Sequence, residues 1–354
     1  MGKGVRDQYR GVYLWLLAVY LMIFAMVLIG GITRLTGSGL SMVEWRPLIG
    51  WLPPIGDAEW QAVFAKYKQF PQYQQVNSWM TLADFQRIFF WEYLHRLFGR
   101  LIGVVVMLPW LVLLARRKLN RSLAIRTGLA IVFGGLQGLL GWYMVRSGLV
   151  NEPAVSHYRL ASHLMLAFFV ACWVLWILFE LRQGDDQPGT PSTGMRRFAW
   201  ALVALITLQI VYGAFMAGKR AGFMYATFPT MNGEWIPSGL GAMTPGWRNA
   251  LENPIGIHFI HRILGYLVTL VVFAFWFVAR RSPDVTRRRA AHAMLLLIVL
   301  QMTLGILTVL TNVSIWIATA HQGLGFLLLS GALYAAYTYR GSAGAALPAT
   351  VGSS

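Results

Sequence analysis

Residues 92–103 read EYLHRLFGRLIG, from Glu92 to Gly103, and residues 258–269 read HFIHRILGYLVT, from His258 to Thr269. Laid one on the other, they place His95 on His261, Arg96 on Arg262 and Gly99 on Gly265. Two further pairs follow in the same order. LQGLLG (136–141) matches LQMTLG (300–305), and SHLMLAFF (162–169), carrying His163, matches AHQGLGFL (320–327), carrying His321. Similarity repeated in a fixed order is the mark of tandem duplication. Every copy lies in a long apolar stretch, so the repeated unit is a set of membrane-length helices.

Around these segments the chain is 57% hydrophobic and only 12% charged over 354 residues, with a mean hydropathy of +0.55. That is too little charge to cover a soluble domain of this size. Backbone polar groups in lipid must pair internally, and continuous apolar runs without strict alternation select helices. A crossing takes about 20 residues. Eight spans are predicted, near residues 12–31, 89–115, 123–145, 160–181, 198–217, 257–279, 290–311 and 318–339. The expected fold class is therefore all-α, a polytopic membrane protein of two tandem pseudo-symmetric four-helix bundles.

More than half of the 30 Lys and Arg lie in the amino-terminal stretch, the short loops ARRKLNRSLAIR, RQGDDQPGTPSTGMRR and ARRSPDVTRRR, and the tail. The positive-inside rule puts those segments, and with them both termini, in the cytoplasm, with the protein in the cell inner membrane. The formal net charge of +17 thus reflects topology. No RNP-like aromatic pattern or zinc-finger spacing accompanies it, so no nucleic-acid partner is expected. The expected division is 1–182 as the amino-terminal half, 183–197 as a polar cytoplasmic linker, 198–340 as the carboxy-terminal half and 341–354 as a tail. The linker returns the chain to its starting side, so the repeats are parallel, related by an axis along the membrane normal. Cys172 is alone and excludes an intrachain disulfide. The basic start resembles a signal sequence, but the apolar run is long and no small-residue cleavage site follows, so a retained span is expected.

Two outer segments are long. DAEWQAVFAKYKQF (57–70) spaces Trp60, Val63, Phe64 and Tyr67 on one helical face, which predicts an amphipathic helix on the outer leaflet with Asp57 as its cap. TLAD (81–84) has capping-box spacing and predicts that the second span's helix starts before lipid. The segment near 218–256 is rich in Gly, Pro and Asn and shows no periodicity.

The chemistry rests on four histidines. His95, His163, His261 and His321 lie on the second, fourth, sixth and eighth spans, each close to its outer boundary. One opposed pair per four-helix unit is what a six-coordinate haem iron requires, in an apolar slot between helices. A lone histidine would more simply hydrogen-bond across helices, but four at matching depth with duplicated neighbours weigh against that. Zinc would lack two ligands in each half, and copper stays open on spacing alone. Glu92, three residues before His95, shares its helix face. It serves either as a proton acceptor or electrostatic stabiliser at a reaction centre, or only as partner to Arg96 one turn on. Its counterpart His258 makes the two sites unequal, and His261 is preferred to His258 as ligand by the repeat. Arg96 and Arg262 either meet haem propionates or snorkel to headgroups. His157 and His292 read as solvated or interfacial.

At these residues the chain resembles the haem A synthase family. The matching segments are GGITRLTGSGLSMVEW (30–45), EYLHR (92–96), SHYRLASH (156–163), TFPTMNGEW (227–235), HFIHR (258–262) and HQ (321–322). The resemblance implies conversion of haem O to haem A, a ring methyl being oxidised to formyl by way of the alcohol. It implies a resident haem b on His261 and His321, and substrate haem O facing His95 and His163, with Glu92 in the oxidation. One branch of the family carries cysteine pairs in outer loops; this chain has none there and looks like the cysteine-free, mitochondrial-type branch. The partners it implies are the lipid bilayer, haem O, an electron-transfer partner (a ferredoxin-like protein among the options) and a haem O synthase; the homo-oligomeric state stays open. A di-haem b electron-transfer protein with no chemistry on the macrocycle is the first rival. A transporter or haem chaperone is the second, and it would need a site near the membrane midplane.

Overall fold

The computed structural model describes residues 8–44, 51–148, 153–183 and 192–340. Its helices are α1 (Arg10–Leu35), α2 (Gly56–Tyr67), α3 (Leu82–Ala115), α4 (Arg121–Gly148), α5 (His157–Gln183), α6 (Thr193–Gly218), the single turn α7 (Arg248–Leu251), α8 (Pro254–Ala279), α9 (Val285–Leu310) and α10 (Ile315–Thr338). Eight of these, all but α2 and α7, are long and apolar enough to cross a membrane. Most of the 183–197 linker, the 341–354 tail and residues 1–7 lie outside the described residues.

Helix starts follow local chemistry. Thr81 and Asp84 close the expected capping box, so α3 begins at Leu82, well before the apolar run. Ser192 Oγ accepts from Met195 N, which starts α6 at Thr193, earlier than its hydrophobicity alone suggests. Asn253 Oδ1 accepts from Ile255 N at 3.0 Å, and Pro254 at the first position of α8 has no N–H to satisfy. Asp284 accepts from the N–H groups of Thr286 and Arg287. Side-chain oxygens of this kind satisfy donors that the helix itself leaves free.

In the first half α1, α3, α4 and α5 pack in a ring in that order, and in the second α6, α8, α9 and α10 do the same. The histidine helices, α3 with α5 and α8 with α10, are thus diagonal partners within each ring. The halves meet through their first and last helices: α1 against α10, α5 against α6, and α5 against α10. Lipid tails are as apolar as leucine, so this seam is held by close packing and buried hydrogen bonds. Phe326 stands among Tyr20, Phe24 and Phe168 at ring-centroid distances of 5.5, 5.3 and 5.1 Å. Tyr20 Oη shares a 2.7 Å hydrogen bond with Ser330 Oγ, and Gln322 Nε2 donates to Val27 O at 2.8 Å.

One expectation is corrected. Helix α2 exists over the expected residues, but its apolar face covers the start of α3. Phe64 and Tyr67 stack on Phe85 at 5.0 and 5.1 Å, and Trp60 sits edge-on to Phe89. The early start of α3 gives it an apolar stripe ahead of its membrane-length run, and α2 packs on that stripe where a bare leaflet was expected. Its N-cap is Ile55, with Asp57 inside the first turn.

Candidate functional site

His163, His261 and His321 sit about two turns into their helices and His95 about four turns into the longer α3, and all four are half-buried. His95 and His163 lie within electrostatic range of one another, and so do His261 and His321. The predicted pairs are therefore brought together, each across its own ring.

Glycines on neighbouring helices make room for every ring. A Cβ at Gly141 would stand 3.1 Å from His163 Cε1, and one at Gly305 3.0 Å from His321 Cε1. On the other side, a Cβ at Gly30 would lie 3.4 Å from His95 Nε2, and one at Gly213 3.4 Å from His261 Cε1. The four positions correspond between halves, so the cradle is duplicated with the ligands. Glutamines complete it. Gln137 Nε2 donates to His163 O at 3.0 Å and lies 3.2 Å from His163 Nε2. Gln209 Nε2 donates to His261 O at 3.1 Å.

Buried and without a hydrogen-bond partner among the described residues are Nδ1 of His163, His258, His261 and His321 and Oε1 of Gln137, Gln209 and Gln301. An orphaned buried polar atom costs about 1–3 kcal/mol, so unsatisfied ring nitrogens on three of the four predicted histidines, and on His258 beside them, point to a ligand. Among the described residues no cluster of three or more His, Cys, Asp or Glu side chains forms that could hold a metal. A protein-only zinc tetrahedron is thus not built there. Two opposed imidazoles suit an iron whose remaining four positions come from a macrocycle, and glycine-flattened helix faces suit its plane. The residues fit haem.

The next turn outward carries the asymmetry. Glu92 is 3% exposed and accepts from Ser41 Oγ and Met42 N, both at 2.7 Å, and from Arg96 Nη2 at 2.5 Å. Arg96 also donates to Met42 O and Glu44 O. In the second half Arg262 Nε donates to His258 Nε2 at 3.1 Å, and its Nη atoms donate to Thr227 O at 2.9 Å and Thr230 O at 3.1 Å. Each arginine therefore fastens an outer loop to the helix that carries the histidine, a role outside both expected alternatives. His258 accepts from Arg262 through Nε2, and the ring that stands against Gly213 is that of His261.

His157 corrects a second expectation. It is 6% exposed, its Nε2 lies 2.8 Å from Leu251 O, and Gly218 is so close that a Cβ there would lie 2.3 Å from His157 Cβ. The aperiodic 218–256 segment folds over it, and no local pattern signalled that cover. Glu252 joins the same seam, accepting from Lys219 Nζ at 2.7 Å and Tyr158 Oη at 2.6 Å. Arg34 crosses the halves to donate to Ala217 O and Gly218 O at the end of α6. His292 is exposed, as expected, and accepts from Trp276 Nε1. The glutamines were missed by sequence reasoning, although Gln137 and Gln301 hold the same place in LQGLLG and LQMTLG.

The COX15-CtaA family model, described as cytochrome oxidase assembly protein, matches residues 13–333. The chain is 42% identical to a protein of Nitrosomonas eutropha over 94% of this chain and 96% of the relative. It is 46% identical to one of Rhodospirillum centenum (92% and 87%) and 42% identical to one of Paracoccus denitrificans (96% and 91%). All three relatives carry the name heme A synthase.

Proposed function

The chain belongs to the cytochrome oxidase assembly family matched over residues 13–333, and from that premise we propose that it is a haem A synthase, oxidising a ring methyl of haem O to a formyl group. The observation that carries the reading is the duplicated histidine cradle with chemically unequal neighbours, Glu92 in one half and His258 in the other. Methyl to formyl removes two hydrogens and adds one oxygen, a four-electron change. One half must therefore hold a substrate beside a charged group, and the other a haem that relays electrons.

In this reading His261 and His321 hold haem b, which supplies one-electron redox chemistry when bound, and His95 with His163 hold haem O. The room available supports the assignment. In the first half a Cβ at Gly134 or Gly138 of α4 would meet nothing within 4 Å. The repeat counterparts on α9 are Ile298, 3% exposed, and Met302. Exposed glycines on α4 thus stand where α9 carries larger side chains, which we read as room for haem O, the bulkier group. Glu92 takes three donors in this structure, so it acts first as an electrostatic anchor beside His95.

The membrane orientation proposed has both termini in the cytoplasm and the histidines near the periplasmic face of the inner membrane. The chain is assigned to the branch without cysteine pairs in its outer loops, since Cys172 is a free thiol within α5. A haem O synthase supplies the substrate, and a separate electron-transfer partner carries the electrons.

The reading is tested by supplying purified protein with haem O and a redox partner and extracting the pigment. Haem A is expected as product. His261→Ala should lose haem b, and His95→Ala should retain it while losing o- and a-type haem. Two haem b per wild-type chain, with no o- or a-type pigment, would establish the di-haem relay instead.

A further inference from the structure

Arg96 and Arg262 are engaged by loop carbonyls, so the two propionates of a haem between the histidines must meet other groups. His163 is about two turns from the start of α5 and about five from its end. Carboxylates are costly in hydrocarbon, so they turn towards the starts of α3 and α5. Two arginines stand there. Arg159 comes four residues before His163, one turn away on the same face of α5. Its guanidinium lies 4.7 Å from the centre of the Tyr143 ring, two residues beyond the Gly141 that flanks His163. On α3, Arg87, Trp91 and His95 follow one another at intervals of four. Arg87 and Trp91 line an open hollow of about 440 Å³ with Ala83, Gln86 and Phe90. Arg87 feels the charge of Asp84, whose carboxylate already accepts from Thr81. The second half has no cation at these stations. The repeat puts Asn253 in place of Arg87 and Ile317 in place of Arg159. Asn253 is 4% exposed, caps α8 and donates to Gly239 O at 2.9 Å.

We propose that Arg87 and Arg159 form an anion clamp at the mouth of the first cradle and take the two propionates of haem O, one arginine from each helix that supplies a histidine. This rests on the two-haem reading above and adds to it the recognition of the substrate's acidic edge. Arginine suits a carboxylate because its planar fork donates two parallel hydrogen bonds. Ligation through iron alone leaves a macrocycle able to turn about the axis between the imidazoles. Two carboxylates held from opposite helices stop that rotation, so one ring edge, and with it one methyl, is presented each time. Lipid phosphates offer the same anionic oxygens to an arginine near a helix start, and the test separates the two sources.

The test titrates the full chain carrying haem b, in phosphatidylcholine nanodiscs with and without phosphatidylglycerol, with haem O and with its dimethyl ester, and reads the Soret change. Arg87→Gln and Arg159→Gln should each weaken haem O binding about three- to tenfold. The Arg→Lys variants, which keep the charge and lose the fork, should recover part of the loss. The ester should bind wild type as weakly as haem O binds the double Gln variant, and that variant should not tell the two ligands apart. The haem b spectrum should stay unchanged throughout, which also reports an intact fold. A folded double variant with wild-type affinity for haem O overturns the proposal. So does a wild type indifferent to esterification, an arm that needs no substitution. Losses that appear only with phosphatidylglycerol assign the arginines to lipid phosphate and overturn it as well. Uptake of haem O by His95→Ala with wild-type spectrum and affinity overturns the two-haem reading itself.

Discussion

Glu92→Gln keeps shape and removes charge, and the structure predicts where the damage goes. One carboxylate oxygen takes Arg96 and the other takes Ser41 Oγ and Met42 N. A glutamine has only one acceptor oxygen. Either way round, its NH2 faces a donor, Arg96 in one orientation and Ser41 with Met42 in the other. Hydrogen bonds to a charged group contribute about 1.5–3 kcal/mol each. Ser41 can turn its hydroxyl to accept, and Arg96 keeps the carbonyls of Met42 and Glu44. A net loss of about 3 kcal/mol remains, roughly a hundredfold in an opening equilibrium. The loss is local, because Phe64, Tyr67 and Phe85 pack without help from Glu92. Hydrogen exchange on the protein in nanodiscs should show residues 38–44 exchanging about a hundredfold faster, with α2 and the 225–230 loop unchanged. If 38–44 keep wild-type protection in a folded Glu92→Gln protein, the anchoring argument is wrong, and any lost turnover belongs to Glu92 chemistry alone.

Two further outcomes concern the seam between the halves. Gly218→Ala drives a methyl to 2.3 Å from His157 Cβ and 2.6 Å from its Cα. Backbone has to move, so a loss of about 1–3 kcal/mol is expected in thermal unfolding; Gly103→Ala, whose Cβ meets nothing within 4 Å, is the silent control. Hydrogen bonds from Lys219 and Tyr158 hold the Glu252 carboxyl below the usual carboxylate range. A depressed value means that its contribution is present above the ordinary carboxylate pKa and fades as pH falls through the lowered one. Wild type should exceed Glu252→Gln in melting temperature at neutral pH, by the equivalent of at most about 1 kcal/mol for a part-exposed pair. The two curves should meet in acid, and a gap that widens on acidification contradicts the assignment.

The fold was legible because lipid imposes it: helix length, loop charge and repeat order are written directly into composition. The histidine pairs were legible for the same reason, since duplication printed them twice. What escaped was whatever depends on non-local cover. His157 reads as an ordinary outer-loop histidine until the aperiodic 218–256 segment closes over it. The apolar stripe of α2 looks the same whether it meets a leaflet or Phe85 and Phe89. Arg96 and Arg262 offered two roles on chemistry alone, and the loop carbonyls that engage them lie about 30–55 residues away in sequence. Gln137 and Gln301 were in view as a repeated letter, but only the packing of α4 on α5 gives Gln137 its bond to His163.

Both halves fasten an outer loop to the histidine helix through an arginine four residues after a polar side chain, yet the grips differ in kind. In the second half the loop is held through its carbonyls at Thr227 and Thr230, by an arginine that leans on a histidine ring. Those contacts do not depend on any carboxylate. In the first half the loop is held from both sides at once, its Met42 carbonyl by Arg96 and its Met42 amide and Ser41 hydroxyl by Glu92. Glu92 therefore touches the loop directly through Ser41 and Met42, whereas His258 meets its loop through Arg262 and the ring of Tyr225. Duplication kept the clamp, and the exchange of one residue between Glu92 and His258 decides whether the loop is gripped by its amide as well as its carbonyl.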